Sequence, residues 1–61
     1  MEIRVKFFNT NNVNVQTIKL EIPNNLSINN LINKIKEYAP MDATYFRIFQ
    51  NEKVKSTKID L

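Results

Sequence analysis

Two segments in the first third of the chain alternate apolar and polar residues. In residues 2–8, EIRVKFF, the apolar residues Ile3, Val5 and Phe7 fall on one face, and charged residues fall on the other. The same alternation recurs in QTIKLEI, residues 16–22. A period of two residues predicts half-buried β-strands. The asparagine-rich loop between them supplies residues that tolerate a positive φ angle, so the two segments predict a hairpin, and the length of the loop suggests a bulge.

The apolar period changes in the middle of the chain, between Leu26 and Ala39. Here the apolar residues recur at the 3.6-residue period of an amphipathic helix, and they are Ile28, Leu31, Ile32, Ile35 and Ala39. Ser27 is a suitable N-cap, and Pro40 disfavours the helical conformation of the residue before it. The pattern therefore predicts a helix over residues 26–39. We expect Ile28, Leu31, Ile32 and Ile35 to dock onto the sheet.

The last third of the chain predicts two more strands. YFRIFQ, residues 45–50, alternates again, with Phe46 and Ile48 on one face and Tyr45, Arg47 and Phe49 on the other. Residues 53–61 alternate more weakly, after a turn expected at residues 51–52. Residues 1–61 thus predict one α+β domain of order β-β-α-β-β. Its helix is expected to cover one face of a small mixed sheet, with the first and last strands parallel at the centre.

Composition narrows the possible chemistry of the chain. The 61 residues include no cysteine, histidine or glycine. Zinc sites, nucleophile–base pairs and glycine-rich phosphate loops therefore lack their usual residues, and the carboxylates are scattered singly. We expect a protein that is not an enzyme and has no metal or cofactor. The abundance of asparagine, isoleucine and lysine is attributed to an AT-rich genome.

Location and charge are expected to be ordinary for a small intracellular domain. The longest apolar run is far shorter than the ~20 residues of a membrane helix. No leader-like segment precedes the first strand, so a cytoplasmic or nuclear location is expected. The net charge of +3 is mild and is compatible with many partners.

The order of core residues resembles a known family. From the second strand into the helix, the matching residues are Ile18, Leu20, Ile22, Pro23, Ser27, Ile28, Leu31 and Ile35. FRIFQNEK, residues 46–53, and the opening residues Met1, Ile3, Val5 and Lys6 extend the match to about Val54. In these positions the chain is similar to the ubiquitin-like, or β-grasp, family. The resemblance implies a β-grasp fold and a non-enzymatic protein-interaction module.

The departures from that family leave two functions open. The first loop is longer by five residues than in ubiquitin, Pro40 replaces the glycine that ends its helix, and the last strand and the Gly-Gly tail are absent from this chain. An interaction module is the first hypothesis. The alternative is a ubiquitin-like modifier or sulfur carrier whose Gly-Gly tail lies outside this chain. If the last strand is missing, the first strand would be an edge, and association of copies through that edge is expected.

The proposed protein-binding site lies on the sheet face opposite the helix. Phe49 occupies the position of the isoleucine at the centre of ubiquitin's recognition patch, and we expect it to be exposed. The other candidate residues are Arg47, Lys53, Tyr45, Phe8 and Lys6. Aromatic and arginine side chains dominate interface hot spots. Nucleic-acid binding is a less favoured alternative. It would use the basic residues Arg47, Lys53, Lys55 and Lys58 and the rings of Tyr45, Phe46 and Phe49, but Glu52 and Asp60 interrupt these basic residues.

Overall fold

The computed structural model describes all residues from Met1 to Leu61. Five strands and one helix follow one another as β1 (Glu2–Phe8), β2 (Asn14–Glu21), α1 (Ile28–Lys36), β3 (Tyr45–Gln50), β4 (Lys53–Val54) and β5 (Ile59–Asp60). The sequence-based bounds of β1 and β3 are confirmed. The predicted fourth strand is instead two short strands, and β2 begins two residues earlier than the alternation indicated.

All strand pairs in the sheet are antiparallel, in the order β2-β1-β3-β4, and β5 also pairs with β3. The expectation of parallel first and last strands at the centre is wrong. β5 runs in the same direction as β1, but β3 lies between them. The physical reason is the length of the strands. β3 pairs with β1 at five positions, whereas β5 is so short that it forms only two pairs, and the longer strand lies beside β1.

The hydrophobic core lies between α1 and one face of the sheet. Strand β1 contributes Ile3, Val5 and Phe7, and β3 contributes Phe46 and Ile48, all of them buried. The helix adds the buried residues Leu31 and Ile35, and Ile22 follows the end of β2. Half-buried Ile18, Leu20 and Ile32 pack against this cluster. The alternation in β1 and β3 therefore identified the core face correctly.

Helix α1 is shorter than the apolar period indicated. Ser27 caps it as expected, because its Oγ accepts a hydrogen bond from the Asn30 N–H at 3.2 Å. The helix ends at Lys36, three residues before Ala39. Ile28 is 61% exposed, so the expectation that it docks on the sheet is wrong. Ile28 has nearly the same angular position as Ile35, and its exposure therefore reflects its place in the first turn, beyond the cover of the sheet.

The loop of the first hairpin is ordered by its asparagines. The Asn9 side chain accepts hydrogen bonds from the backbone N–H groups of Asn11 and Val13, at 2.9 and 3.1 Å. Asn12 has a φ angle of 63°, as expected of an asparagine in a chain without glycine. The predicted bulge is also confirmed, since the register of β1 and β2 shifts between Phe7 and Phe8.

The C-terminal segment pairs with the edge of β3 that faces away from β1, through the two short strands β4 and β5. Between β4 and β5, the Ser56 hydroxyl accepts a hydrogen bond from the Ile48 N–H at 2.9 Å, and the Lys55 N–H donates to the Ile48 carbonyl at 2.7 Å. The expectation that β1 is an edge strand is wrong, because it is paired on both sides. The edge strand beside β1 is β2, and the association of copies through a sheet edge stays a prediction.

The helix contacts predict unequal costs for two chemically identical substitutions. Ile35→Ala removes a fully buried side chain and is expected to lower the free energy of unfolding by about 2–4 kcal/mol. Ile28→Ala removes an exposed side chain and is expected to change it by no more than about 0.5 kcal/mol. Urea unfolding followed by circular dichroism measures both, and equal losses would contradict this packing.

Candidate functional site

The sheet face turned away from α1, which we call the outer face, is rich in basic and aromatic residues. Because side chains alternate along a strand, residues that lie between the core positions point to this face. They are Glu2, Arg4, Lys6 and Phe8 in β1, Thr17, Lys19 and Glu21 in β2, and Tyr45, Arg47 and Phe49 in β3. The antiparallel register places these three rows side by side.

Two pairs of like charges face each other across neighbouring strands. Arg4 is directly opposite Lys19 in β2, and Lys6 is directly opposite Arg47 in β3. Like charges in opposed positions of a sheet repel each other and destabilise it. Sequence reasoning did not select Arg4 or Lys19, because only the cross-strand register shows that they adjoin Lys6 and Arg47.

Three of these cations have no carboxylate partner in the structure. The ion pairs present join the N-terminal ammonium to Glu21 at 3.0 Å, Lys19 to Glu2 at 3.8 Å and Lys58 to Asp60 at 3.9 Å. None of them involves Arg4, Lys6 or Arg47, which we call the cationic cluster. This cluster occupies the middle of the outer face, and none of its three side chains forms an ion pair.

Phe49 lies beside the cationic cluster, but it is less accessible than expected. It is directly opposite Arg4, and the Lys6 Nζ lies 4.7 Å from the centre of its ring. A cation over an aromatic face is a favourable arrangement. The expectation that Phe49 is exposed is wrong, because the side chain is half-buried. At this point the surface consists of the Lys6 ammonium group above the Phe49 ring.

Tyr45 and Phe8 are primarily part of the framework of the outer face. Tyr45 is only 7% exposed. Its ring stacks on that of Phe8 with a centroid separation of 5.0 Å, and its hydroxyl donates a hydrogen bond to Asn12 Oδ1 at 3.0 Å. The Lys58 Nζ lies 4.8 Å from the centre of the Tyr45 ring. Tyr45 thus joins the first hairpin loop to β3 and to the C-terminal segment.

Lys53 is not placed with the other predicted site residues. It is exposed and lies opposite Gln50, whereas the residue opposite Phe49 is Val54. By strand alternation, Val54 shares the outer face with Phe49, and Lys53 does not. The structure therefore brings together Lys6, Arg47 and Phe49 and separates Lys53 from them.

A depression of about 540 Å³ borders the cationic cluster, between the start of β1 and the β3–β4 turn. Its walls include the cations Arg4 and Lys6, the carboxylates Glu2 and Glu52, and Phe49. Gln50, the last residue of β3, and Asn51 of the turn also line it. Asn51 and Glu52 have φ angles of 51° and 65°. Positive φ at both central residues is typical of the two-residue hairpin turn. Glu52 adopts it at a steric cost, since only glycine takes this conformation freely.

No known relative identifies this site. No protein-family model, no curated protein and no solved structure matches the chain. No group of three histidine, cysteine or carboxylate residues is arranged to hold a metal ion. Helix α1 is the only helix, and it is not long and apolar enough to cross a membrane. The candidate site therefore depends on the geometry of the outer face.

Tyr45→Phe tests the structural role of the tyrosine. The substitution keeps the ring that contacts Phe8 and removes the hydroxyl that binds Asn12. We expect the free energy of unfolding to fall by about 1 kcal/mol, the typical value of one hydrogen bond. Urea unfolding gives the value, and an unchanged midpoint would show that this bond does not hold the loop in place.

Glu52→Gly tests the backbone conformation of the β3–β4 turn. Glycine adopts a positive φ angle without the clash of a Cβ atom, so the free energy of unfolding is expected to rise by about 0.5–1 kcal/mol. Glu52→Ala is the matched control, because it removes the same charge but keeps the Cβ atom. A similar gain from both variants would assign the effect to charge rather than to backbone conformation.

Proposed function

We propose that this protein is a non-enzymatic protein-interaction module that binds its partner through the outer face of the sheet. One observation carries the proposal: Arg4, Lys6 and Arg47 surround a half-buried aromatic ring, Phe49, and lack carboxylate partners. Arginine and aromatic side chains contribute most of the energy at protein interfaces. The cluster combines both kinds of residue on one continuous surface.

The repulsion between opposed cations in the isolated domain also favours this proposal. Lys6 and Arg47 are like charges in opposed positions of β1 and β3, a pairing that by itself costs stability in a small domain without disulfides. A neutral pair in these positions would avoid the repulsion. A partner that supplies carboxylates or carbonyl oxygens to these side chains would relieve it on binding. Such a surface favours association with a partner and does not stabilise the isolated domain.

The proposed relation to ubiquitin-like domains concerns both fold and function. A hairpin, a helix that covers one face and a third strand follow one another along the chain in the order that the family implies. The direct antiparallel pairing of β1 with β3 differs from the expected parallel centre. Phe49, beside Arg47 in β3, lies on the face that the resemblance assigned to partner binding. These features support a β-grasp variant. In this variant β3 itself is the neighbour of β1.

Phe49→Ala tests the proposed binding surface. The partner recovered by affinity capture on the wild-type domain is expected to bind the variant at least about tenfold more weakly, because the ring that supports the Lys6 ammonium group at the centre of the contact is lost. Isothermal titration calorimetry measures the affinity. Circular dichroism is expected to show an intact fold.

Met41→Ala is the matched control, since Met41 is an apolar side chain that is fully exposed in the connection between α1 and β3. This control is expected to bind like the wild type. Unchanged affinity in a folded Phe49→Ala variant would remove the outer face as the binding site.

A further inference from the structure

The cationic cluster defines the chemistry of the partner. Arg4, Lys6 and Arg47 form no ion pair within the domain and lie next to one another on β1 and β3. We infer that the outer face binds an acidic protein segment in extended conformation, whose aspartate or glutamate side chains pair with these three cations. This inference rests on the proposed function and adds the class of the partner.

The spacing of the cations matches an extended chain. Arg4 and Lys6 are two residues apart on one strand, which separates them by about 7 Å. Carboxylates two residues apart on an extended segment have the same separation, so a segment aligned with β1 offers one carboxylate to each cation. Arg47, directly opposite Lys6, then lies within reach of the same carboxylate as Lys6.

The charges around the cluster limit the length of the segment. Glu2 and Glu21 are opposite each other at one end of the outer face, and Asp60 is opposite Tyr45 at the other end. Glu2, Glu21 and Asp60 also take part in the ion pairs that neutralise neighbouring cations. The positive potential is therefore confined to the middle of the face. This confinement suits a short acidic segment better than the long phosphate backbone of a nucleic acid.

The aromatic rings also favour an acidic protein segment over a nucleic acid. Binding of single-stranded nucleic acid usually requires open rings on which bases stack. Here Lys6 covers the ring of Phe49, Lys58 covers the ring of Tyr45, and Phe8 stacks on Tyr45 from within the domain. At least one face of each ring is thus covered by another side chain of the domain. The surface presents ammonium groups instead, and carboxylates bind these directly.

The test compares two double variants that change the net charge equally. Lys6→Glu/Arg47→Glu reverses two cations of the cluster, whereas Lys34→Glu/Lys36→Glu reverses two exposed cations on the helix, on the other side of the sheet. The probe is a synthetic peptide of alternating glutamate and threonine, and oligothymidylate serves as the nucleic-acid probe. Amide chemical shifts, recorded by NMR at low and high salt, give the affinities and the residues contacted.

We expect the peptide to shift the amide signals of the cationic cluster and Phe49. The Lys6→Glu/Arg47→Glu variant is expected to bind the peptide at least about tenfold more weakly than the wild type, which corresponds to the loss of about 1.4 kcal/mol. The helix variant is expected to stay within about twofold of the wild type, because screening limits the reach of its charges to about 10 Å at moderate salt.

Several results would overturn the inference. Equal losses in the two double variants would show attraction by net charge alone, and the absence of peptide binding to the wild type would exclude an acidic segment. Tighter binding of oligothymidylate, with large shifts of the ring protons of Phe8 and Phe49, would identify a nucleic acid instead. A wild-type dimer in sedimentation that dissociates on Lys6→Glu/Arg47→Glu would identify a second copy of the chain.

The failure of this inference is distinguishable from the failure of the proposed function. If Phe49→Ala abolishes binding of the captured partner but Lys6→Glu/Arg47→Glu leaves it unchanged, the outer face binds a partner that is not acidic. If neither variant affects that binding, the outer face is not the site, and both proposals are wrong.

Discussion

The direct antiparallel pairing of β1 with β3 is the constraint on which both faces of this domain depend. These strands are separated along the chain by β2 and the helix, so their ladder is a long-range contact. It places Val5 opposite Ile48 and Phe7 opposite Phe46 on the face that packs against α1. The same register places Lys6 opposite Arg47 on the outer face. One set of backbone hydrogen bonds thus builds the core and the cationic cluster together.

The two faces have opposite effects on stability. The helix side buries large apolar side chains, and Val5, Phe7, Ile35 and Phe46 are fully inaccessible. Burial of apolar surface stabilises the fold by roughly 25 cal/mol per Å², whereas the opposed cations of the outer face cost a fraction of this gain. A domain of this size has little stability in reserve. The repulsion is tolerated because the core residues occupy the alternate positions of the same strands.

The C-terminal segment completes the sheet without adding a long strand. β4, the Ser56 hydroxyl and β5 together provide hydrogen-bond partners for the backbone groups on the edge of β3 that faces away from β1. Tyr45 links this edge to the first hairpin, since its ring contacts Phe8 and Lys58 and its hydroxyl binds Asn12. These contacts join the first hairpin loop and the C-terminal segment at the border of the outer face.

The sequence by itself determined the local elements, and the tertiary structure decided how they meet. Alternation located β1, β2, β3 and their core face, the 3.6-residue period located the helix, and the residue type of Ser27 indicated its cap. These features depend on neighbours in the chain. Neither period shows which strand lies beside which. The burial of Tyr45 and the exposure of Ile28 depend on this packing and were not predictable. The separation of Lys53 from Phe49, in contrast, follows from the turn expected at residues 51–52, which pairs Gln50 with Lys53 and Phe49 with Val54. Like the burial of Tyr45, the cationic cluster was not predictable. The cluster depends on the register between β1 and β3, and long-range packing sets that register.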